Sequence, residues 1–317
     1  MPTALILSVR VSYGVYTLRY LDDMAIRDII LSKAREIISV CPKEVYLRAD
    51  LLNLYLKLKQ GTKIPERITP KYFSTLLLKE NVLHEIIPSS PYPNPPKRYV
   101  RDEFSMYELA CSIHKGAYLS HGTAAFLHGL IKQQQKTIYV NKEQSVKPQS
   151  DTRDLDQYAM ELAFSRKQRQ SRYVLRYGKV SITLLSGKNT GRFGVQRVQW
   201  GHVNELEATD IERTLIDITV RPMYAGGVEQ VLQCYIAAKS LISPQKLFMA
   251  LRKMDYVYPY HQAVGFYMQK AGFDPGVLAD LRKDGLRYDF YLAHGMKRRA
   301  YDSEWRIFFP KGLSHVP

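Results

Sequence analysis

Four charged residues lie within ten positions, 212–221, among Ile, Leu and Val of the stretch TDIERTLIDITVRPMYAGG, residues 209–227. They are Glu212, Arg213, Asp217 and Arg221. Carboxylates and guanidinium groups in an apolar setting can act as acid–base catalysts, or they can neutralise one another inside a core. Arg213 and Asp217 are four residues apart and can therefore pair along one helix face, with Arg221 in reach of the same carboxylate. The spacing favours the structural role.

The same stretch is predicted to be a helix with a clear start and end. Thr209 and Glu212 have the spacing of a capping box, in which each satisfies a backbone N–H of the first turn. Pro222 ends the helix, and the glycines that follow redirect the chain. The predicted buried stripe is formed by Ile211, Leu215 and Ile218.

Other acidic residues do not complete a catalytic set. A metal-dependent nuclease needs clustered carboxylates with a nearby lysine, as in an E-x-K pattern. The candidates are Asp151, Asp154, Asp156, Asp289 and Glu304, and none of them has such a partner. A nuclease therefore remains only a minor alternative, and we predict that the protein is not an enzyme.

Histidine and cysteine spacing does not indicate a metal site. His121 and His128 are seven residues apart, but no carboxylate or cysteine completes a ligand set around them. The three cysteines, Cys41, Cys111 and Cys234, are far apart and form no CxxC motif, which is typical of buried thiols in a reducing cytoplasm. No glycine-rich nucleotide motif is present. We predict no metal and no cofactor.

The charge balance points to a polyanionic partner. The chain has 317 residues, with 46 Lys and Arg against 30 Asp and Glu, a net charge of +16 and a pI near 9.6. The first hundred residues carry +6, the second hundred +8 and the remainder +2. Nucleic acid is the first candidate for the partner and a membrane surface the second. Since no signal peptide or membrane-spanning stretch is evident, we predict a cytoplasmic protein.

The first part of the chain predicts a winged helix-turn-helix domain at residues 24–104. Residues 1–23 read as an extension outside its core. Three helices are expected near residues 24–40, 48–61 and 69–83, followed by a hairpin with a proline-rich, exposed tip. Thr69 is a good N-cap for the third helix, and Pro70 suits its first turn because the missing N–H is not needed there.

The third helix and the hairpin carry the candidate DNA-binding residues. A helix that enters the major groove needs small polar and basic side chains on its exposed face. Lys71, Tyr72, Ser74, Thr75 and Lys79 meet that requirement, and Lys97, Arg98 and Arg101 at the hairpin stem are expected to contact phosphate. The alternative is an ordinary amphipathic helix with a solvated face.

A second basic cluster is formed by Arg166, Lys167, Arg169 and Arg172. Arg166, Arg169 and Arg172 recur every three residues and would share one face if the segment were helical. The cluster is predicted to bind DNA phosphates without sequence preference, or to receive an acidic surface of a partner protein. A solvated run of charge is the alternative.

Residues 105–317 mix helices with strand-like runs, so the whole chain is predicted to be α+β. Four blocks in this part resemble, in order and spacing, the AbiEi-type antitoxins of type IV toxin–antitoxin systems. The blocks are YLSHGTAAFLHGL (118–130), TDIERTLIDITVRPMYAGGVEQV (209–231), AVGFYMQKAGF (263–273) and YDSEWRIFFPKGL (301–313). The resemblance covers about residues 25–313, and departs from the family in residues 1–23 and the long proline-rich tip.

The resemblance implies a mixed α/β antitoxin domain at residues 105–317 behind the winged helix. It also implies a cytoplasmic repressor of a phage-defence operon that binds inverted repeats in double-stranded DNA upstream of its own genes. The implied protein partner is a nucleotidyltransferase toxin. Two modes of antitoxin action stay open: repression of the operon, or neutralisation of the toxin by direct contact.

Overall fold

The computed structural model describes residues 24–146, 155–201 and 203–315, which divide into two compact units. Unit 1 contains residues 24–87 and 96–105, and unit 2 contains residues 88–95 and 106–315. Helices and sheets occur in both units, which confirms the predicted α+β class. The predicted extension at 1–23, together with Asp151 and Asp154, lies outside the described residues.

Unit 1 combines helices with a small antiparallel sheet. Its helices are α1 (24–40), α2 (Arg48–Gly61) and α3 (Pro70–Lys79). Its strands are β1 (Val45–Tyr46), β2 (His84–Ile86) and β3 (Arg98–Val100), which lie in the order β1-β3-β2. Val100 of β3 pairs with Val45 on one side and His84 on the other. β3, the last of these three strands in the sequence, therefore lies in the centre of the sheet.

The start of α3 follows from its local sequence. The Thr69 side chain accepts a hydrogen bond from the Tyr72 backbone N–H at 3.2 Å, and Pro70 occupies the first turn. This confirms the predicted N-cap. The buried face of α3, which joins the core of unit 1, consists of Phe73, Leu76 and Leu77. The remaining positions of α3 are left for solvent or a ligand.

The proline-rich tip of the hairpin belongs to unit 2. Ser89 and Arg176 exchange two backbone hydrogen bonds, of 3.0 and 2.9 Å. The Tyr92 ring stacks on the Tyr173 ring with their centroids 5.2 Å apart. The tip was predicted to be unpaired and exposed. That expectation is met only in part, because its backbone pairs at Ser89 and Pro88 is buried.

Unit 2 is built on a six-stranded mixed sheet with the order β6-β7-β5-β4-β9-β8. Its strands are β4 (Tyr118–Leu119), β5 (Thr137–Glu143), β6 (Val174–Tyr177), β7 (Val180–Gly187), β8 (Val195–Trp200) and β9 (Val203–Thr209). β5 runs parallel to β7, and β4 runs parallel to β9, whereas β6–β7, β4–β5 and β8–β9 are antiparallel. β6 and β7 are consecutive in the sequence and form a hairpin.

The helices of unit 2, apart from α4, contribute to one large core. They are α4 (Met106–Ser112), α5 (His121–Leu127), α6 (Gln157–Ser165), α7 (Ile211–Val220), α8 (Val228–Ala238), α9 (Pro244–Met254), α10 (Tyr260–Lys270) and α11 (Pro275–Arg282). A second sheet joins β10 (Phe290–Tyr291), β12 (Ile307–Pro310) and β11 (Arg299–Asp302) in that order. No helix within the described residues is long and apolar enough to span a bilayer.

Helix α7 is buried on all sides, not along one stripe. Eight consecutive residues, 212–219, are buried, and they include Glu212, Arg213 and Asp217. Because a charged group loses its hydration when it is buried, each of these three side chains needs a partner inside the protein. The charged stretch of the sequence therefore belongs to the interior of unit 2.

Candidate functional site

The exposed face of α3 matches the predicted DNA-contacting surface in part. Lys71, Tyr72, Thr75 and Lys79 are exposed. Neither lysine forms an ion pair with any residue in the described ranges. Ser74 differs, since its side chain is half-buried and its hydroxyl donates to the Pro70 carbonyl at 2.9 Å. Two unpaired cations, a hydroxyl and an aromatic ring thus remain available on this face.

The hairpin stem does not present the three cations that the sequence predicts. Lys97 is exposed and forms an ion pair with Glu85 at 3.2 Å. Arg98 is only 8% exposed. Arg101 is half-buried and donates to the carbonyl oxygens of Ile38 and Cys41. Arg98 and Arg101 are therefore structural residues of unit 1, and the expectation that they contact phosphate is corrected.

The second basic cluster does not lie on a helix. Helix α6 ends at Ser165, and residues 166–173 continue without regular secondary structure. Hydrogen bonds to the C-terminal end of α7 hold this segment in place. Gln168 donates to the Val220 carbonyl at 3.2 Å, and Arg221 donates to the Arg169 carbonyl at 3.0 Å. The condition for a shared helical face, that the segment be helical, is therefore not met.

The segment borders a large cleft within unit 2, with a volume of about 1100 Å³. Arg166, Lys167 and Arg169 are exposed and line this cleft, whereas Arg172 does not. In all, the lining contains six cationic side chains, Arg166, Lys167, Arg169, Lys188, Arg213 and Arg221, against two carboxylates, Asp217 and Asp255. A cleft with such an excess of positive charge attracts anions.

The Arg213–Asp217 pair lies at the floor of the cleft. The Arg213 Nε atom donates to Asp217 Oδ1 at 2.8 Å, and the two side chains are only 4% and 6% exposed. Arg213 also donates to the Phe193 carbonyl at 2.7 Å. Burial lowers the pKa of Arg213, but the Asp217 carboxylate more than offsets this, so that the pKa is raised overall. The predicted pairing along the helix is confirmed.

Glu212 and Arg221, the other two charged residues of this stretch, have different partners from those predicted. The N-cap of α7 is Asp210, which accepts from the Arg213 backbone N–H at 2.8 Å, while Thr209 is the last residue of β9. Glu212 pairs with Lys246 of α9 at 2.8 Å and does not complete a capping box. The side chain of Arg221 bonds to Arg169, not to the Asp217 carboxylate.

Two buried acceptors at the floor have no donor among the described residues. They are Asp217 Oδ2 and Asn141 Oδ1, in side chains that are 5% and 3% exposed. The Asn141 amide donates to the Tyr118 hydroxyl at 2.7 Å. Its head lies against Gly187, where an added Cβ would come within 2.7 Å of Oδ1. Since buried polar atoms normally have partners, these two oxygens are unusual in a folded protein.

Glu143, the last residue of β5, secures the loop beside this floor. Its carboxylate accepts from the backbone N–H groups of Thr190 and Arg192 at 3.0 and 3.1 Å. Burial raises the pKa of Glu143, but the hydrogen bonds from Thr190 and Arg192 outweigh it and lower the pKa overall. The same loop supplies the Phe193 carbonyl that accepts from Arg213, so the floor is held at both ends.

Aromatic rings form part of the wall. Tyr224, Tyr256, Tyr258, Tyr260, His121 and His294 all line the cleft. Tyr256 and Tyr258 are half-buried, which leaves part of each ring accessible from the cleft. Lys188 donates to the Met254 carbonyl at 2.7 Å and lies over the Tyr256 ring, with its Nζ atom 5.8 Å from the ring centroid. Cations and aromatic faces thus occur side by side.

His121 connects this wall with α5. Its Nδ1 atom lies 2.9 Å from the Ser120 hydroxyl, and its ring meets the Tyr224 ring edge-on at 5.4 Å. Burial lowers its pKa to about 4, although the nearby Asp217 acts in the opposite direction. The imidazole is therefore neutral at pH 7 and suits a packing role against the Tyr224 ring.

We expect His121 to make the protein less stable in acid. The unfolded chain takes up a proton near pH 6.5, whereas folded His121 does so only near pH 4. The contribution of neutral His121 to the free energy of unfolding is therefore fully present above pH 6.5. It is lost as the pH falls towards 4, and the loss amounts to about 3 kcal/mol. Chemical unfolding of the wild type and His121→Asn over this pH range measures it.

Asparagine is the suitable replacement because it tolerates the positive φ of 52° at this position and does not titrate. Above pH 6.5 the variant is expected to be less stable than the wild type. Between pH 6.5 and 4 its free energy of unfolding is expected to fall less steeply than that of the wild type. A residual slope is expected from His294, whose pKa burial also lowers. An unchanged slope in the variant would contradict the assignment to His121.

The three acidic residues considered for a nuclease that lie in the described ranges already have partners. Asp156 caps α6 by accepting from the Ala159 backbone N–H at 2.7 Å. Asp289 pairs with Arg306 at 2.9 Å, and Glu304 pairs with Arg282. Within the described ranges no three His, Cys, Asp or Glu side chains are placed to hold a metal ion.

Sequence patterns singled out the basic rim of the cleft but missed most of its interior. Asn141 lies on a strand, and Tyr256 and Tyr258 lie in the DYVYP connection (255–259) between α9 and α10. The three tyrosines in YVYPY (256–260) are a compositional signal that could have been noticed. Nothing local indicates that they face Arg166 and Asp217, because these residues come together only in the tertiary structure.

Comparison with known proteins bears on the fold. The chain is similar to the crystal structure of the RV2827C protein from Mycobacterium tuberculosis, with a TM-score of 0.54 over 88% of this chain and 90% of that chain. The two sequences are 14% identical, so this similarity concerns the fold alone. No protein-family model matches the sequence. No curated protein matches it either.

Proposed function

We propose that the protein is a DNA-binding transcriptional repressor that acts through unit 1. The observation that carries this proposal is the face of α3, where Lys71, Tyr72, Thr75 and Lys79 are exposed and the two lysines are unpaired among the described residues. Exposed hydrogen-bonding and aromatic side chains of this kind are the means by which a helix recognises base edges in the major groove.

The order of elements in unit 1 supports the proposal. α1, β1, α2, α3, β2 and β3 follow one another as in a winged helix-turn-helix, and α3 takes the place of the recognition helix. The N-terminus of α3 also favours a nearby phosphate, because its backbone N–H groups and the helix dipole attract anions. In this role Lys71, Tyr72 and Thr75 contact bases, while Lys79 and Lys97 contact phosphates.

A gel-shift comparison of the upstream region of its own gene with random DNA tests the proposal. The wild type is expected to prefer an inverted repeat in that region. The variant Lys71→Ala/Thr75→Ala is expected to lose this preference, since each base contact contributes about 1–3 kcal/mol of discrimination. Lys79→Ala is expected to weaken binding to all sequences alike and to lower the salt slope by about 1.

Matched controls separate base contacts from charge. Lys297→Ala removes one positive charge at an exposed position of unit 2 and is expected to leave sequence preference unchanged. Ser74→Ala is expected to have little effect on binding, because the Ser74 hydroxyl already donates to Pro70. Equal affinity of the wild type for the upstream region and for random DNA would refute sequence-specific repression.

We further propose that the repressor is a cytoplasmic antitoxin that counteracts a nucleotidyltransferase toxin. The support for this role is the resemblance of four sequence blocks, among them residues 118–130 and 209–231, to AbiEi-type antitoxins. Growth of cells that express an adjacent nucleotidyltransferase gene, with and without this protein, is the direct measurement. Rescue by the Lys71→Ala/Thr75→Ala variant would indicate neutralisation by contact rather than repression.

A further inference from the structure

We propose that the cleft of unit 2 binds a nucleoside phosphate, with the phosphates at its basic rim and the base against its tyrosine wall and floor. This inference does not rest on α3 or on repression. It rests on three independent properties of one cavity: the charge at its mouth, the aromatic rings in its wall and the unsatisfied acceptors at its floor.

The rim supplies charge that no residue in the described part of the chain neutralises. Arg166, Lys167 and Arg169 are exposed and line the cleft, and none of them forms an ion pair with a residue in the described ranges. The backbone that carries them is held by the bonds from Gln168 to Val220 and from Arg221 to Arg169. Preorganised guanidinium groups are well suited to phosphate oxygens, which they can bind in a bidentate manner.

The wall and floor suit a base rather than phosphate alone. Half-buried Tyr256 and Tyr258 offer ring faces on which a base can stack. Asp217 Oδ2 and Asn141 Oδ1 lack donors, and both side chains are more than nine-tenths buried. Ring N–H and exocyclic amino groups of bases are donors, whereas phosphate groups carry almost none at neutral pH. A ligand with both parts would satisfy the rim and the floor together.

The size and position of the cleft agree with a small ligand. Its volume of about 1100 Å³ is sufficient for a nucleotide with bound water, and ligand sites usually occupy about 300–1000 Å³. All of its lining residues belong to unit 2. Duplex DNA would contact the exposed arginines from outside but would not reach Asp217, which is 5% exposed.

Isothermal titration of the full chain with ATP, GTP, CTP and UTP tests the proposal, with inorganic tripolyphosphate as the probe for charge alone. At least one nucleotide is expected to bind at least about tenfold more tightly than tripolyphosphate. Equal binding of tripolyphosphate, or no binding of any nucleotide, would overturn the proposal. Duplex DNA binding that depends on Arg166 and Arg169 without nucleotide binding would assign the rim to DNA instead.

Variants locate the site. Arg166→Gln/Arg169→Gln is expected to weaken nucleotide binding at least about tenfold, while Arg172→Gln, in the same segment but outside the cleft, is expected to leave it unchanged. Tyr256→Leu is expected to weaken the binding of nucleotide but not the binding of tripolyphosphate. Its control is Tyr158→Leu, at an exposed position, which is expected to leave both unchanged. Equal losses in Arg172→Gln would contradict a site in the cleft.

Failure of this proposal is distinguishable from failure of the repressor proposal. The α3 variant Lys71→Ala/Thr75→Ala is expected to bind nucleotide like the wild type, and the rim variant is expected to retain operator preference. Thermal unfolding of each variant without ligand confirms that it is folded. If the α3 variant lost nucleotide binding while remaining folded, the assignment to the unit 2 cleft would be wrong.

Discussion

Asp217→Ala is expected to lower the free energy of unfolding by about 3–5 kcal/mol, because it leaves a buried guanidinium without its counter-charge. Arg213 is 4% exposed, and among the described residues no other carboxylate forms an ion pair with it. Its remaining bonds, to the Phe193 carbonyl and the Thr190 hydroxyl, do not neutralise its charge. Urea unfolding of unit 2 within the full chain measures the loss.

Two comparisons show whether the loss arises from the unpaired charge. Arg197 and Glu205 also pair at 2.9 Å, but their side chains are 71% and 66% exposed, so Glu205→Ala is expected to cost at most about 1 kcal/mol. Replacing both buried charges in Arg213→Met/Asp217→Leu is expected to cost less than Asp217→Ala. If Asp217→Ala retained full stability and lost only ligand binding, the pair would be part of a binding site alone.

Gly265→Ala is the second substitution with a large expected effect. An added Cβ at this position of α10 would lie 2.2 Å from ring atoms of Trp305, whose side chain is completely buried. The ring has little room to move, because its Nε1 atom donates to Gln269 at 2.5 Å and the Arg282 guanidinium covers one face at 4.9 Å. Overpacking of this kind costs about 1–3 kcal/mol or more, and α10 or the ring must shift.

The melting temperature and near-ultraviolet circular dichroism of Gly265→Ala measure this effect. Gly61→Ala is the matched control, since no atom lies within 4 Å of a Cβ there, and its stability is expected to be unchanged or higher. In the double variant Gly265→Ala/Trp305→Phe the smaller ring should relieve the clash, so that the two costs are less than additive. Additive costs would show that Trp305 does not limit the space at Gly265.

Local patterns predicted the elements whose ends depend on neighbouring residues in the chain. The α3 N-cap at Thr69 is present as predicted, and α9 and α11 begin with the same kind of sequence, Ser243–Pro244 and Asp274–Pro275. In each, a side-chain oxygen accepts a backbone N–H within three residues, and proline occupies the first turn. Such signals are complete within four residues of sequence, and tertiary packing does not need to supply any part of them.

The same kind of pattern failed where a tertiary contact competed for the residue. Thr209 and Glu212 have capping-box spacing. Thr209, however, is the last residue of β9, where it pairs with Val195, and Glu212 forms an ion pair with Lys246. Asp210 then caps α7 in place of Thr209. A similar error arose at the hairpin stem, where Arg101 was expected to contact phosphate. Its guanidinium group instead donates to carbonyl oxygens at the end of α1 and in the turn that follows.

By itself the sequence determined the α+β class, the three helices of unit 1, the Arg213–Asp217 pair and the basic segment at 166–172, because these depend on composition or on spacing within a few residues. Only the tertiary structure decided which of those charges face one cavity. Strand pairing and the burial of α7 bring Asn141, Asp217 and Tyr256 together. Contacts across such separations depend on how whole elements pack, which no short window of sequence contains.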